Sequence, residues 1–168
     1  NFTLDANGVT CNCDTAANLE TGTLTIDGVQ KTFTKRTEAQ LRALIAADQN
    51  DPQIGLTCTS GITNIRGLFY LETTFNEDIS SWDVSKVTDM GYMFGSAQDF
   101  DQPIGNWDVS KVTDMGYMFY DARDFNQPIG NWDVSKVTNM NTMFYNARNF
   151  NQPIGNWDVS KVTNMDYM

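Results

Sequence analysis

Residues 100–124 read FDQPIGNWDVSKVTDMGYMFYDARD, and the same stretch returns at 125–149 as FNQPIGNWDVSKVTNMNTMFYNARN. It is preceded at 75–99 by FNEDISSWDVSKVTDMGYMFGSAQD, and a further copy opens at Phe150 and runs to Met168. The period is 25 residues, without insertion. A fixed period of that length marks a repeat array, in which no unit can bury its apolar face alone. All four Trp (Trp82, Trp107, Trp132, Trp157) share one column, and all eight Met fall in two. A worn copy at 50–74 keeps Ile54, Ile62, Ile65, Leu68 and Phe69 in the columns of Ile79, Val87, Met90, Met93 and Phe94.

Comparing copies with one another separates buried columns from free ones. Phe75, Ile79, Trp82, Val84, Val87, Met90, Met93 and Phe94 stay apolar throughout. Met90, Met93, Phe94 and Ala97 lie at i, i+3, i+4 and i+7, which predicts one face of a short helix. Thr88 is its expected N-cap, with Asp89 at the positive end of the helix dipole. Pro103–Trp107, bounded by turn residues, reads as a short strand with its Pro at the entry. The expected fold is therefore α/β, a leucine-rich-repeat-like solenoid with one short strand and one short helix per 25-residue repeat. Its Trp and Met columns form interior ladders. The competing architecture is a helix-free parallel β-helix.

The front of the chain carries no repeat. Thr23–Ile26 and Gln30–Phe33 flank Asp27-Gly28, a hairpin signal. Thr37 with Gln40 is a capping box that opens a helix over Glu38–Ala47, with Leu41, Leu44 and Ile45 as its apolar face. These predict a small α+β N-terminal cap over 1–49 and the solenoid over 50–168. The solenoid divides into the degenerate repeat 50–74, repeats 75–99, 100–124 and 125–149, and a partial repeat 150–168. No matching cap is legible after the last copy, so the array is expected to continue past Met168. End-to-end self-association through that uncapped repeat is one expected contact. No basic segment followed by an apolar one stands at Asn1, so any secretory signal is expected to have been removed.

Acidic residues outnumber basic ones 21 to 11, a net charge of -10. Such a chain repels phosphate backbones and anionic headgroups, which argues against nucleic-acid and membrane-surface partners. No apolar run is long enough to span a bilayer, so no membrane insertion is expected. The sequence contains no His, which removes the commonest general base and the commonest zinc ligand. Carboxylate pairs such as Glu77/Asp78 or Asp121/Asp124 could serve glycoside hydrolysis, but nothing singles out one pair. No enzyme, catalytic residue, cofactor or metal site is expected. Cys11, Cys13 and Cys58 predict one disulfide and one spare thiol, which points to an oxidising compartment. Spacing leaves open which of Cys11 and Cys13 pairs with Cys58.

The motif NWDVSKVTNMxxMF followed by FNQPIGNWDVS resembles the BspA-like family of bacterial surface proteins over roughly residues 50–168. That family's repeats are classed as leucine-rich-repeat-like and belong to secreted or lipid-anchored proteins. The lead-in, with a Cys before a hairpin and helix and another just before the array, is similar as well. On that likeness Cys13 and Cys58 are the disulfide pair, and Cys11 is a departure. The resemblance implies a non-enzymatic extracellular or cell-surface module for adhesion or partner binding.

Two column sets are candidate features. Asp83, Asp108, Asp133 and Asp158 follow the tryptophans and would repel one another unless used structurally. An Asx-turn to backbone N–H groups two or three residues on, at Ser85 or Lys86 and equivalents, is the expected use, and calcium held between the columns is the alternative. Asn106, Asn131 and Asn156, with Ser81, form a second polar column that, if inward, bonds backbone between copies. The variable columns mark the candidate ligand-binding surface: Tyr92, Tyr117, Tyr120 and Tyr145, with Arg123 and Arg148. Tyrosine with Arg suits a host or environmental protein or glycan. The alternative role is a passive stalk or spacer in a larger secreted protein, stiffened by calcium.

Overall fold

A computed structural model describes residues 1–168. Its regular secondary structure lies entirely within the first 58 residues. Strands β1 (Thr3–Leu4) and β2 (Cys11–Asn12) pair antiparallel. Strands β3 (Thr21–Ile26) and β4 (Val29–Lys35) form the hairpin, with Ile26 opposite Val29. Asp27 and Gly28 both take positive φ, 51° and 78°, which matches the right-handed twist of the flanking strands. Helix α1 (Glu38–Ala47) begins at a capping box in which the Thr37 hydroxyl accepts from the Gln40 N–H and the Gln40 side chain accepts from the Thr37 N–H. Strand β5 (Thr57–Cys58) adds parallel to β4. Leu41 and Ile45 of α1 are buried in the same apolar cluster as the repeat columns.

The repeats themselves correct the expected fold. Neither a helix nor a regular strand occurs after Cys58, so the copies are not the α/β, leucine-rich-repeat-like units predicted. The sheets of a parallel β-helix are absent too. Each copy joins the next through one isolated parallel bridge, Asn64 to Asp89, Asp89 to Asp114, Asp114 to Asn139 and Asn139 to Asn164. Each copy is instead a chain of four-residue turns. In the second full copy these close from the Trp107 N–H to the Ile104 carbonyl, from Val112 to Val109, from Met118 to Met115 and from Ala122 to Phe119. Every one of those turns starts and ends on a buried apolar residue. A turn brings residues i and i+3 together, so a train of turns writes the same period into the sequence as a helix does.

The backbone explains why the helix does not form. Tyr92, Tyr117, Thr142 and Tyr167 have φ between 54° and 58°, and Ser96, Asp121 and Asn146 between 52° and 61°. Left-handed residues end a helix and cost roughly 1 kcal/mol or more each outside glycine. Here they turn alternate peptide groups toward the neighbouring copy. The N–H groups of Met90, Tyr92, Phe94 and Ser96 donate to the carbonyls of Asp114, Gly116, Met118 and Tyr120 at 2.6–3.0 Å. The same positions one copy earlier and one later do likewise. A helix would use those donors inside a copy; the ladder uses them between copies. Thr88, the expected N-cap, donates both its N–H and its hydroxyl to the Thr63 carbonyl.

Aromatic rings fill the interior in register. Phe94 stacks at 3.9 Å on Phe100, which opens the next copy, and lies 5.6 Å from Phe119 of that copy. Trp82 and Trp107 stack at 6.4 Å. Glycine sets how closely the copies approach, except where Ser80 stands in the same column. A Cβ added at Gly55, Gly105 or Gly130 would run into the carbonyl oxygen of Asp78, Pro128 or Pro153 respectively, while at Gly155 it would meet nothing. Gly130→Ala is therefore expected to destabilise by about 2–3 kcal/mol, since backbone cannot move aside as a side chain can. Gly155→Ala is expected to be neutral or slightly stabilising. Urea unfolding of the two variants checks this, and equal midpoints would refute the close approach.

Candidate functional site

The tryptophan and aspartate columns are occupied by structure. Each indole is buried and its Nε1–H donates to an isoleucine carbonyl of the preceding copy: Trp82 to Ile54, Trp107 to Ile79, Trp132 to Ile104 and Trp157 to Ile129, at 3.1–3.3 Å. Each following carboxylate accepts from a backbone N–H two residues on. Asp83 takes Ser85, Asp108 takes Ser110, Asp133 takes Ser135 and Asp158 takes Ser160, at 3.0–3.1 Å. Hydrogen bonds from Ser135 and Ser160 hold Asp133 and Asp158 below the usual carboxylate range. Asp83 alone is buried, and it also accepts from the hydroxyls of Ser60 and Ser85 at 2.7 Å. No group of three or more acidic or thiol side chains converges to hold a metal ion.

The Asn106 column does not point inward. Asn106, Asn131 and Asn156 are exposed, and Asn106 reaches only the Ser80 carbonyl, while Ser81 donates to Gly55. The amide ladder runs elsewhere. Gln127 donates to the carbonyl and carboxylate of Asp101, and Gln152 to the carbonyl and side chain of Asn126.

The left-handed turns carry the tyrosines to one face. Tyr92 and Tyr117 stack at 4.4 Å, 5° from parallel. Tyr70 meets the edge of Tyr92 at 5.5 Å, in the room left by Gly95, where a Cβ would stand 3.0 Å from the Tyr70 ring. Tyr117 contacts Tyr120 at 5.9 Å, and Tyr120 stacks on Tyr145 at 5.7 Å. The result is an unbroken tyrosine belt, Tyr70–Tyr92–Tyr117–Tyr120–Tyr145, that starts in the worn copy and ends in the third full one. Burial against Tyr117 raises the Tyr92 phenol above its ordinary pKa. Tyr70 and Tyr145 are 44% and 51% exposed, so the belt's ends are open to solvent.

The two expected arginines are held just beyond the belt. Arg123 grips Asp121 through two bonds at 3.1 and 3.2 Å, and Arg148 donates to Asn146 at 3.0 Å. Asn146 in turn donates to Asp121. The cation that does cover a ring is Arg66, 5.2 Å from the centre of Tyr92, which the sequence reading missed. Its guanidinium also bridges Asp89 and Asp114 at 3.4 and 3.3 Å, offsetting the repulsion of two stacked carboxylates. A signal existed. Arg66 is the single cation in a column that otherwise reads Gly91, Gly116, Asn141, Asp166, beside the Asp89/Asp114 column. Gly91 leaves the space, since a Cβ there would overlap the Arg66 guanidinium.

Cys13 and Cys58 form a disulfide, tying the segment before the hairpin to β5. Cys11 is free and buried. Burial, with Asp83 and Asp5 nearby, pushes its thiol up to about 12, so it stays protonated near neutrality.

No helix is long and apolar enough to cross a membrane. No curated protein and no solved structure matches the chain. A family model does, over residues 39–147 and again over 127–168, from α1 through the last copy. That match covers most of the sequence, and the chain belongs to the family described as "Mycoplasma protein of unknown function, DUF285".

Proposed function

We infer that this chain is a non-enzymatic recognition module of a secreted or cell-surface protein, and that the tyrosine belt is its contact surface. The observation that carries the reading is the belt itself. Five tyrosines from four successive copies touch one another in a line, with both ends exposed. Tyrosine offers large contact area at low conformational cost and keeps a polar tip, which suits protein and glycan surfaces alike. The rigid ladder beneath fixes the ring spacing before a partner arrives, so little ordering cost remains to be met on binding. The disulfide supports an oxidising location. The likeness of the W-D-V-S-K-V-T motif to BspA-like surface repeats supports the same setting. The partner is a host or environmental protein or glycan.

Tyr120→Ser combined with Tyr145→Ser tests the reading. Both rings are partly solvent-exposed, so the double variant is expected to melt with the wild type. Its retention on an array of matrix proteins and glycans is expected to fall by roughly tenfold or more. Equal retention would leave the chain as a spacer and overturn the belt as a contact surface.

A further inference from the structure

The tyrosine face contains one irregularity. The column at 67, 92, 117, 142 and 167 reads Gly, Tyr, Tyr, Thr, Tyr, so a ring is missing at Thr142. The backbone does not change there. Thr142 has φ 57°, against 56°, 58° and 54° at Tyr92, Tyr117 and Tyr167, and its N–H keeps the ladder bond to the Asp166 carbonyl at 2.7 Å. The missing ring leaves an open notch of about 340 Å³ lined by Tyr117, Tyr120, Thr142, Tyr145 and Tyr167. Neighbouring rungs of this column stack at 4.4 Å where both rings are present. The rungs on either side of Thr142, Tyr117 and Tyr167, both line the notch.

We propose that the notch at Thr142 binds one uncharged pyranose ring, seated as the absent rung between Tyr117 and Tyr167. This rests on the reading of the tyrosine face as a recognition surface and names the ligand it takes. A notch left by one missing ring suits a single puckered ring, whose carbon faces pack on aromatic surfaces at about 4.0–4.5 Å. All five lining side chains end in hydroxyls, and none is charged. A sugar presents C–H faces to the rings and hydroxyls to those donors and acceptors. A purely aromatic occupant would desolvate the hydroxyls and leave them unpaired, which is costly. The Thr142 hydroxyl is nearly buried and has one long bond, 3.5 Å to the Asp166 carbonyl, so it has capacity to spare. The second notch, lined by Arg66, Gly67, Tyr70 and Tyr92, differs because a cation already lies over its ring. The net charge of -10 opposes acidic sugars.

Thr142→Tyr restores the rung in a backbone conformation that tyrosine already adopts three times in this column. The probe is an array of neutral and acidic glycans together with matrix proteins, read for the full chain and its variants. The wild type is expected to be retained on glycans ending in neutral hexopyranoses. Thr142→Tyr is expected to lose that retention by about tenfold or more while melting no lower. Equal retention of the variant on those glycans overturns the notch. Retention confined to acidic glycans or to matrix proteins also overturns it; if that retention is lost in the Tyr120→Ser/Tyr145→Ser chain, the belt stands without the notch. No retention on any probe overturns both readings.

Discussion

Trp107→Ala is expected to cost about 3–5 kcal/mol of stability, the range for deleting a buried large aromatic side chain. Three losses combine. The indole is 4% exposed, so nearly all its surface leaves water on folding. It stacks on Trp82 at 6.4 Å and lies 6.3 Å from Phe94, and both rings would face a cavity. Its Nε1–H donates to the Ile79 carbonyl, which would keep only the bond from the Trp82 N–H. Collapse cannot repair the hole, because copies on both sides are fixed by the peptide ladder. Trp157 shares the motif, the bond to a preceding carbonyl and an equivalent pair of ring partners in the preceding copy, yet it is 8% exposed. Trp157→Ala is therefore expected at the low end of the range. Urea unfolding of both variants gives the difference directly. Equal losses at the two positions would show that the fuller burial of Trp107 contributes little.

The second large effect concerns the disulfide. Cys13 and Cys58 are 45 residues apart, and closing a loop of that length removes about 4 kcal/mol of chain entropy from the unfolded state. The loop encloses the hairpin β3–β4 and helix α1. The hairpin depends on it more than the copies do, because its own apolar cluster is small, six buried residues against 33 in the main core, which takes in Leu41 and Ile45 of α1. Three of the six are the cysteines themselves. Cys13→Ser with Cys58→Ser is expected to lower the unfolding midpoint and to open residues 1–60 to protease before the repeats. Fragment mapping by mass spectrometry follows the order of cleavage. Unchanged protection of that segment would show that packing against the array, not the covalent link, holds it.

How much of this was legible depended on whether a residue's role was set inside its copy or between copies. The tryptophan, phenylalanine and methionine columns were readable because every copy must bury the same side chains. The helix assigned to Met90, Met93, Phe94 and Ala97 failed for a definite reason. Consecutive turns also place i and i+3 on one side, and the period cannot distinguish them from helix. Positive φ at Tyr92 and Ser96 decides the matter, and neither residue type announces it. Gly67, at φ 60° in the Tyr92 column of the worn copy, was the available hint. The Asp–Ser turns were legible because they are local, two residues long. The tyrosine columns were visible, but their joining at Tyr117 and Tyr120 was not, since that contact depends on how one turn hands the chain to the next. Arg66 was missed because its partners lie one and two copies away, and the reach depends on the space left at Gly91.

The inter-copy bonds have a sense of direction. At the Met90, Tyr92, Phe94 and Ser96 columns each N–H looks forward to a carbonyl of the next copy, although the Thr88 column donates backward, so this face is an arrow. Each copy presents acceptors at its head and donors at its tail. Arg42 of α1, donating to the Arg66 carbonyl at 2.9 Å, already supplies a cation at the acceptor-rich head. Growth by duplicating a copy preserves that pattern, where inversion would bring like against like.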